Sequence, residues 1–207
     1  MMMAGISGVL GPLLDNYHSQ FGVLRYNNPI ELHLTVGKMG VDIVTAWFTS
    51  PLFMLAGVII VFGTTFLDGV FGRGGNAQSM GVPKACATVC MFCSIYYLSA
   101  VWSHTWVRDY LVWILGVMGL AEWYFMDGSV GGMVMGALTA VCGPALEVAL
   151  INVAGLYSYS EWDVFGIPWM IVAVYFAGGP AVGNLGRALD DTIRVKQTGM
   201  KKEGKRS

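Results

Sequence analysis

Tyr175-Phe-Ala-Gly-Gly-Pro-Ala-Val-Gly-Asn-Leu-Gly-Arg187 closes the last long apolar run of the chain. It places the weakest helix formers, Gly178, Gly179, Pro180, Gly183 and Gly186, where a buried helix should be most regular. Gly179 and Gly183 form a small-xxx-small face that Gly186 extends, which lets another backbone or a flat ligand approach closely. Pro180 releases a carbonyl that Asn184 or a neighbouring helix can satisfy, and Arg187 marks the point where the chain leaves the apolar layer.

Outward from this stretch the composition sets the class. Of 207 residues 55% are hydrophobic and 12% charged, with a mean hydropathy of +0.59; soluble domains carry roughly 25% charge. The charges are segregated: ten fall in residues 43–186 and ten in residues 187–207. A long, weakly charged block ending in a dense charged tail is the pattern of an integral membrane protein. The net charge of −1 conceals this, because seven of twelve Lys and Arg residues lie in the tail. A basic tail beside a membrane is an orientation signal, and no nucleic-acid surface is implied.

The expected fold is all-α: a polytopic transmembrane bundle over residues 44–186, between an N-terminal interfacial segment (1–43) and a basic cytosolic-side tail (187–207). Five spans are expected, at Val44–Leu67, Ala85–Val107, Tyr110–Met126, Val130–Tyr157 and Val164–Gly186, with residues 1–14 as a candidate sixth. Trp47, Trp102, Trp106, Trp123, Tyr124, Tyr157, Tyr159, Trp162 and Trp169 lie towards the ends of these runs, where amphipathic rings favour the interface. Alternating spans put nine Lys and Arg on the tail side against Arg25, Lys38 and Arg108 on the other, so the tail is expected in the cytosol or its organellar equivalent. In the N-terminal segment Ile30-Glu31-Leu32-His33-Leu34 alternates after Asn27-Asn28-Pro29. A short surface hairpin turning at that tripeptide is one reading; an amphipathic helix or a re-entrant segment are the others.

Cys86, Cys90 and Cys93 repeat the spacing of a radical-enzyme iron–sulfur loop, but on an apolar helix their i, i+4, i+7 positions predict packing against a neighbour. No metal site, cofactor or disulfide framework is expected. The absence of HExxH, G-x-S-x-G and phosphate-cradling loops argues against the commoner hydrolases and nucleotide-driven enzymes. Glu147, three residues after Pro144 in the fourth span, is the sharpest intramembrane ionisable group. With Asn152 it makes either a polar notch for a ligand hydroxyl or a proton, or a neutral hydrogen-bonded brace. For Glu122, Asp127, Glu161 and Asp163 a solvated interfacial position is the expectation.

Three elements together resemble the Insig family of endoplasmic-reticulum sterol regulators. Tyr157-Ser-Tyr-Ser-Glu-Trp-Asp163 followed by the Tyr175–Arg187 stretch resembles the family's Y-x-Y-T-S-P-D and F-F-A-G-G-x-x-x-G-N-I-G-R. Ala46-Trp47, Pro51 and Asp68 match an A-W…P…D frame, and Trp123-Tyr-Phe-Met-Asp127 matches W-W-T-F-D. The resemblance implies a helical bundle without catalytic activity that binds a sterol, oxysterol or related isoprenoid lipid between its helices. It also implies that the bundle holds a membrane protein with a sterol-sensing domain, Scap or HMG-CoA reductase in the family. By the same resemblance Asp127 contacts the partner and Trp123 lies near the sterol pocket, while Tyr110 stands where the family has a pocket glutamine. Trp123, Tyr110, Glu147, Asn152, Gly179 and Gly183 are therefore the candidate ligand-binding residues, with a homo-oligomer also expected. Glu147 and Pro144 depart from the family pattern, and Lys201-Lys202 does not form a dilysine retrieval signal. The endoplasmic reticulum is the expected membrane, a plastid or other organelle the alternative. The competing function is a membrane enzyme acting on an isoprenoid lipid, with Glu147 as acid/base assisted by Asn152 or Asp163.

Overall fold

The computed structural model describes residues 2–36 and 39–203. Met1, Gly37, Lys38 and the tail from residue 204, with Lys205 and Arg206 of the charge bias, lie outside the described residues.

Among the described residues six α-helices carry the fold: α1 (Met2–Gln20), α2 (Thr49–Phe71), α3 (Val82–Trp102), α4 (Leu111–Glu122), α5 (Val130–Asn152) and α6 (Met170–Glu203). Three of them, α2, α3 and α5, are long and apolar enough to cross a membrane. α6 is the central element, packed against α2, α3, α4 and α5, while α1 leans on α2 and α3. Residues 2–20 are thus a helix within the bundle, longer than the apolar run that marks it in the sequence.

The glycines of the opening stretch are close-packing positions. A Cβ on Gly179 would stand 2.9 Å from the Cα of Gly136 on α5, and one on Gly183 would stand 2.6 Å from Thr64 Oγ1 on α2. What approaches is another helix, and the seam is filled by protein. Asn184 does not turn back to the carbonyls near Pro180; its Oδ1 accepts from Arg187. Thr139 of α5 instead donates across the seam to the Tyr175 carbonyl at 2.8 Å.

The described residues are mostly helical, as expected, and four short strands accompany the helices. β2 (Ile30–Val36) pairs antiparallel with β3 (Met39–Thr45). A hairpin does form, but Asn27-Asn28-Pro29 separates two sheets and is not its turn. β3 takes up Ile43, Val44 and Thr45, so α2 begins five residues later than the apolar run suggests. β1 (Leu24–Tyr26) pairs with β4 (Tyr157–Tyr159), 130 residues away, with Leu24 opposite Tyr159 and Tyr26 opposite Tyr157. Strand alternation buries Tyr26, Tyr157 and Tyr159 and exposes Arg25 and Ser158. Those two tyrosines of β4 therefore belong to the core and not to an aromatic belt. Trp47, Trp106, Trp162 and Trp169 are each more than half exposed, as belt residues should be.

α5 starts at a true cap, with Ser129 accepting from the Gly132 amide, and continues through Pro144 as one helix. α4 ends in a π turn, Trp123–Asp127, closed by left-handed Gly128. Gly75 packs against this corner so closely that a Cβ would stand 2.4 Å from the Gly128 carbonyl oxygen. Of the three clustered cysteines, Cys86 and Cys90 are exposed and Cys93 alone packs on the core. The i, i+4, i+7 face therefore points largely outward.

Candidate functional site

A cavity of about 420 Å³ opens between α2 and α5, within the size range of small-molecule sites. Its walls are chiefly aliphatic, from residues such as Leu55, Ile59, Leu138 and Leu146, and its far end is polar. There Asp15 of α1 and Glu147 of α5 both reach the lining, beside Thr49, Tyr157 and Tyr175.

Four tyrosines hold the two carboxyls. Tyr26 donates to Asp15 Oδ2 at 2.8 Å and Tyr96 to Asp15 Oδ1 at 2.5 Å. Tyr159 donates to Glu147 Oε2 at 2.6 Å and Tyr175 to Glu147 Oε1 at 2.8 Å. β1 and β4 exist to deliver two of these rings, since their pairing fixes Tyr26 and Tyr159 on the buried face. Burial, then the nearby carboxyls of Asp15 and Glu147 for Tyr26 and Tyr157 and of Glu147 for Tyr159, hold these three hydroxyls well above the usual phenol range, so all three keep their protons. Phe48 stacks on Tyr157 with centroids 6.1 Å apart, and both rings line the cavity.

At the tail side the bundle closes on a different cluster. Arg187 of α6 makes a two-pronged contact with Asp68 of α2, at 2.9 and 2.6 Å, and reaches Asp127 at 2.6 Å. Asp127 also accepts from the Ser129 amide and hydroxyl, and Trp123 Nε1 donates to the Ser129 carbonyl at 2.9 Å. Arg73 joins Asp68 to Asp191. Asp127, Ser129 and Asn184 are fully buried and Arg187 is 3% exposed. Glu122, also at 0% exposure, has no hydrogen bond to either carboxylate oxygen among the described residues. The solvated position expected of Glu122 and Asp127 is thus corrected: the π turn rotates Asp127 inward, where Arg187 meets it.

Of the candidate ligand-binding and catalytic residues, Glu147 is the one that lines the large cavity among the described residues. Gly179 and Gly183 pack helices, Trp123 braces the tail-side corner, and Tyr110 is 61% exposed on the far side. Asn152 donates to the Val148 and Phe165 carbonyls and so ties off a loop. Asp163 accepts from the Trp169 amide and pairs with Arg108, whose Nε also meets Glu161 at 2.7 Å. With His104, also on Glu161, these line a separate notch of about 140 Å³. Glu147, Asn152 and Asp163 therefore do not converge on one reacting centre. Sequence reasoning missed Asp15, Tyr26, Tyr96 and Tyr175. Asp15 had a legible signal, a carboxylate directly at the end of an apolar run; the tyrosines had none, because strand and helix pairings bring them together.

The six-helix bundle, with three helices apolar enough to cross a bilayer and a cavity opening between two of them, defines an integral membrane protein with a lateral apolar pocket. No family model matches the chain. Over 75 residues, 36% of this chain, it is 31% identical to the Insulin-induced gene 1 protein of Danio rerio, a match that spans 30% of that protein's length. Its fold is similar to that of MvINS, a mycobacterial Insig homolog from Mycobacterium vanbaalenii, with a TM-score of 0.72, 18% identity and 90% of each chain covered. A cross-linked trimer of MvINS gives the same values. The chain thus resembles Insig proteins in sequence over about a third of its length and in fold over nearly all of it.

Proposed function

We propose that this chain is a non-enzymatic, lipid-responsive membrane regulator that holds a sterol or related isoprenoid lipid between α2 and α5. The observation that carries the reading is the cavity itself, apolar along its length and polar at one end, open sideways between two helices fit to lie in lipid. An amphiphile can enter from the bilayer without leaving an apolar environment and set its head among Asp15, Glu147 and Tyr157. The scattered positions of Glu147, Asn152 and Asp163 favour binding over catalysis.

In the same proposal all six helices cross the membrane, so that the N-terminus and the tail share the cytosolic side and both sheets lie on the other. The end of α2, the π turn and Arg187 meet at the tail side, as this arrangement requires. Tyr124 and Phe125, each 63% exposed beside buried Asp127, form the surface offered to a membrane-protein partner. Asp127 then acts on the partner through the shape of this corner. MvINS has been crystallised as a cross-linked trimer, and a homo-oligomer is the corresponding proposal for this chain. Occurrence of the fold in a mycobacterium weighs against the endoplasmic reticulum as its required home.

Ala56 lies exposed on the cavity wall, so Ala56→Trp fills the space without displacing a packed side chain. Mass spectrometry of the purified full chain should find one lipid class retained by the wild type and absent from the Ala56→Trp variant. Equal retention by both proteins would remove the cavity from the account.

A further inference from the structure

The polar end of the cavity is assembled like an anion site whose counter-charge has been left out. Each of the four carboxylate oxygens of Asp15 and Glu147 accepts a tyrosine hydroxyl. Each keeps a further lone pair for another donor. A carboxyl whose oxygens are all engaged as acceptors is suited to the ionised form, since a neutral acid must place its own proton on an acceptor. Tyrosines supply hydrogen bonds but no positive charge. Among the described residues neither Asp15 nor Glu147 has an ion pair with Lys, Arg or His. His18, one turn beyond Asp15, meets Ser99 at 2.8 Å. The fold does provide arginines where carboxylates are to be closed off, at Asp68 and Asp127.

We propose that the lipid held between α2 and α5 carries a protonated amine at its head, seated between Asp15 and Glu147. The inference rests on the reading of the cavity as a lipid site and narrows the chemical class of that lipid. An ammonium brings the donors and the charge that the tyrosines lack, and its hydrogen bonds to carboxylates are charge-assisted and therefore stronger than neutral ones. The stacked faces of Phe48 and Tyr157, on the same lining, add cation–π attraction. The aliphatic walls select against a free hydrated ion, so the cation arrives attached to an apolar body.

The matched pair dodecylamine and 1-dodecanol differs only in the head group and separates the two ideas. Calorimetric titration of the purified full chain at pH 7 should show dodecylamine binding at least about tenfold more tightly, the lower end of what a charge-assisted hydrogen bond contributes. Glu147→Gln and Asp15→Asn should each shrink that ratio, and the double variant should bring it near one. A ratio near one in the wild type, or one that survives the double variant, overturns the amine. Should the double variant not fold, competition in the wild type decides. Dodecylamine should displace a photoreactive sterol probe about tenfold more effectively than dodecanol, and equal displacement refutes the proposal. Equal saturable binding of both amphiphiles removes the amine and leaves the lipid site standing, whereas no saturable binding of either removes both.

Discussion

Two pairs of carboxylates stand at opposite ends of the bundle, and they are satisfied in opposite ways. At the tail side Asp68 and Asp127 are bound by the Arg187 guanidinium, with Arg73 alongside, and Asp127 and Arg187 are closed off from solvent. At the cavity end Asp15 and Glu147 are bound by tyrosine hydroxyls alone and face open volume. One arrangement balances charge internally and locks α2, α5 and α6 together. The other leaves charge and space for something from outside the chain. The contrast shows how one fold distinguishes a structural cluster from a receptive one: by whether a cation comes from the protein.

The comparison is broken most severely at Arg187. Arg187→Met strands Asp68 and Asp127 in a buried site and should cost on the order of 3–5 kcal/mol, read as a large fall in the thermal unfolding midpoint in detergent. A variant as stable as the wild type would mean that the tail-side cluster does not lock the helices. Between the two ends lies the Gly179–Gly136 contact of α6 with α5. Gly179→Val forces the helices apart and should cost about 1–3 kcal/mol. Because α6 carries both Tyr175 and Arg187, it should also weaken lipid retention; retention at wild-type levels would show that the two ends are uncoupled. Glu147→Gln is the counterpart of the arginine change. An amide still accepts from Tyr159 or Tyr175, so stability should move by less than about 1 kcal/mol, well below the Arg187 effect. A loss as large as that of Arg187→Met would place Glu147 among the locking residues.

The smallest effect lies outside both clusters. His33 meets Asp42 across the β2–β3 hairpin at 2.6 Å, and this hydrogen bond and the Asp42 charge raise its pKa above the ordinary 6.5. A raised histidine pKa adds stability that is fully present below the unfolded value and is lost as pH rises through the folded value. Since the pair is exposed, the hairpin alone should respond. A proton-NMR titration of His33 should give a midpoint above 6.5 that returns towards 6.5 in Asp42→Asn. An unshifted wild-type midpoint would contradict the contact.

Much of this architecture was legible in the chain. The charge segregation identified a membrane bundle, and the glycine spacing of Tyr175–Arg187 located a packing seam. The YSYSEWD, AGGxxxGNxGR and WYFMD elements carry a resemblance to Insig proteins, and the sequence match and the shared fold show the same resemblance. What stayed hidden depends on contacts distant in sequence. Tyr157 and Tyr159 sit near a span end, where an interfacial position is the natural reading, and only pairing with β1 turns them inward. Asp127 looks interfacial by the same logic, because its burial depends on a π turn and on an arginine 60 residues later. Asp15 lies just beyond residues 1–14, the candidate sixth span, and enters the bundle because the helix runs on to Gln20. Glu147 was legible on its own, as a costly group within an apolar helix, while its partners were not.

The central claim is that lipid occupies the volume between α2 and α5, and site-resolved photolabelling tests it most directly. A sterol bearing a diazirine on its apolar body, irradiated with the purified full chain and mapped by peptide mass spectrometry, should label Leu55, Ile59 and Leu146. That labelling should be competed by unlabelled sterol and lost in Ala56→Trp. Labelling of equal strength on the outward face of α4, at Trp113 and Val117, insensitive to competitor and to Ala56→Trp, would contradict the account.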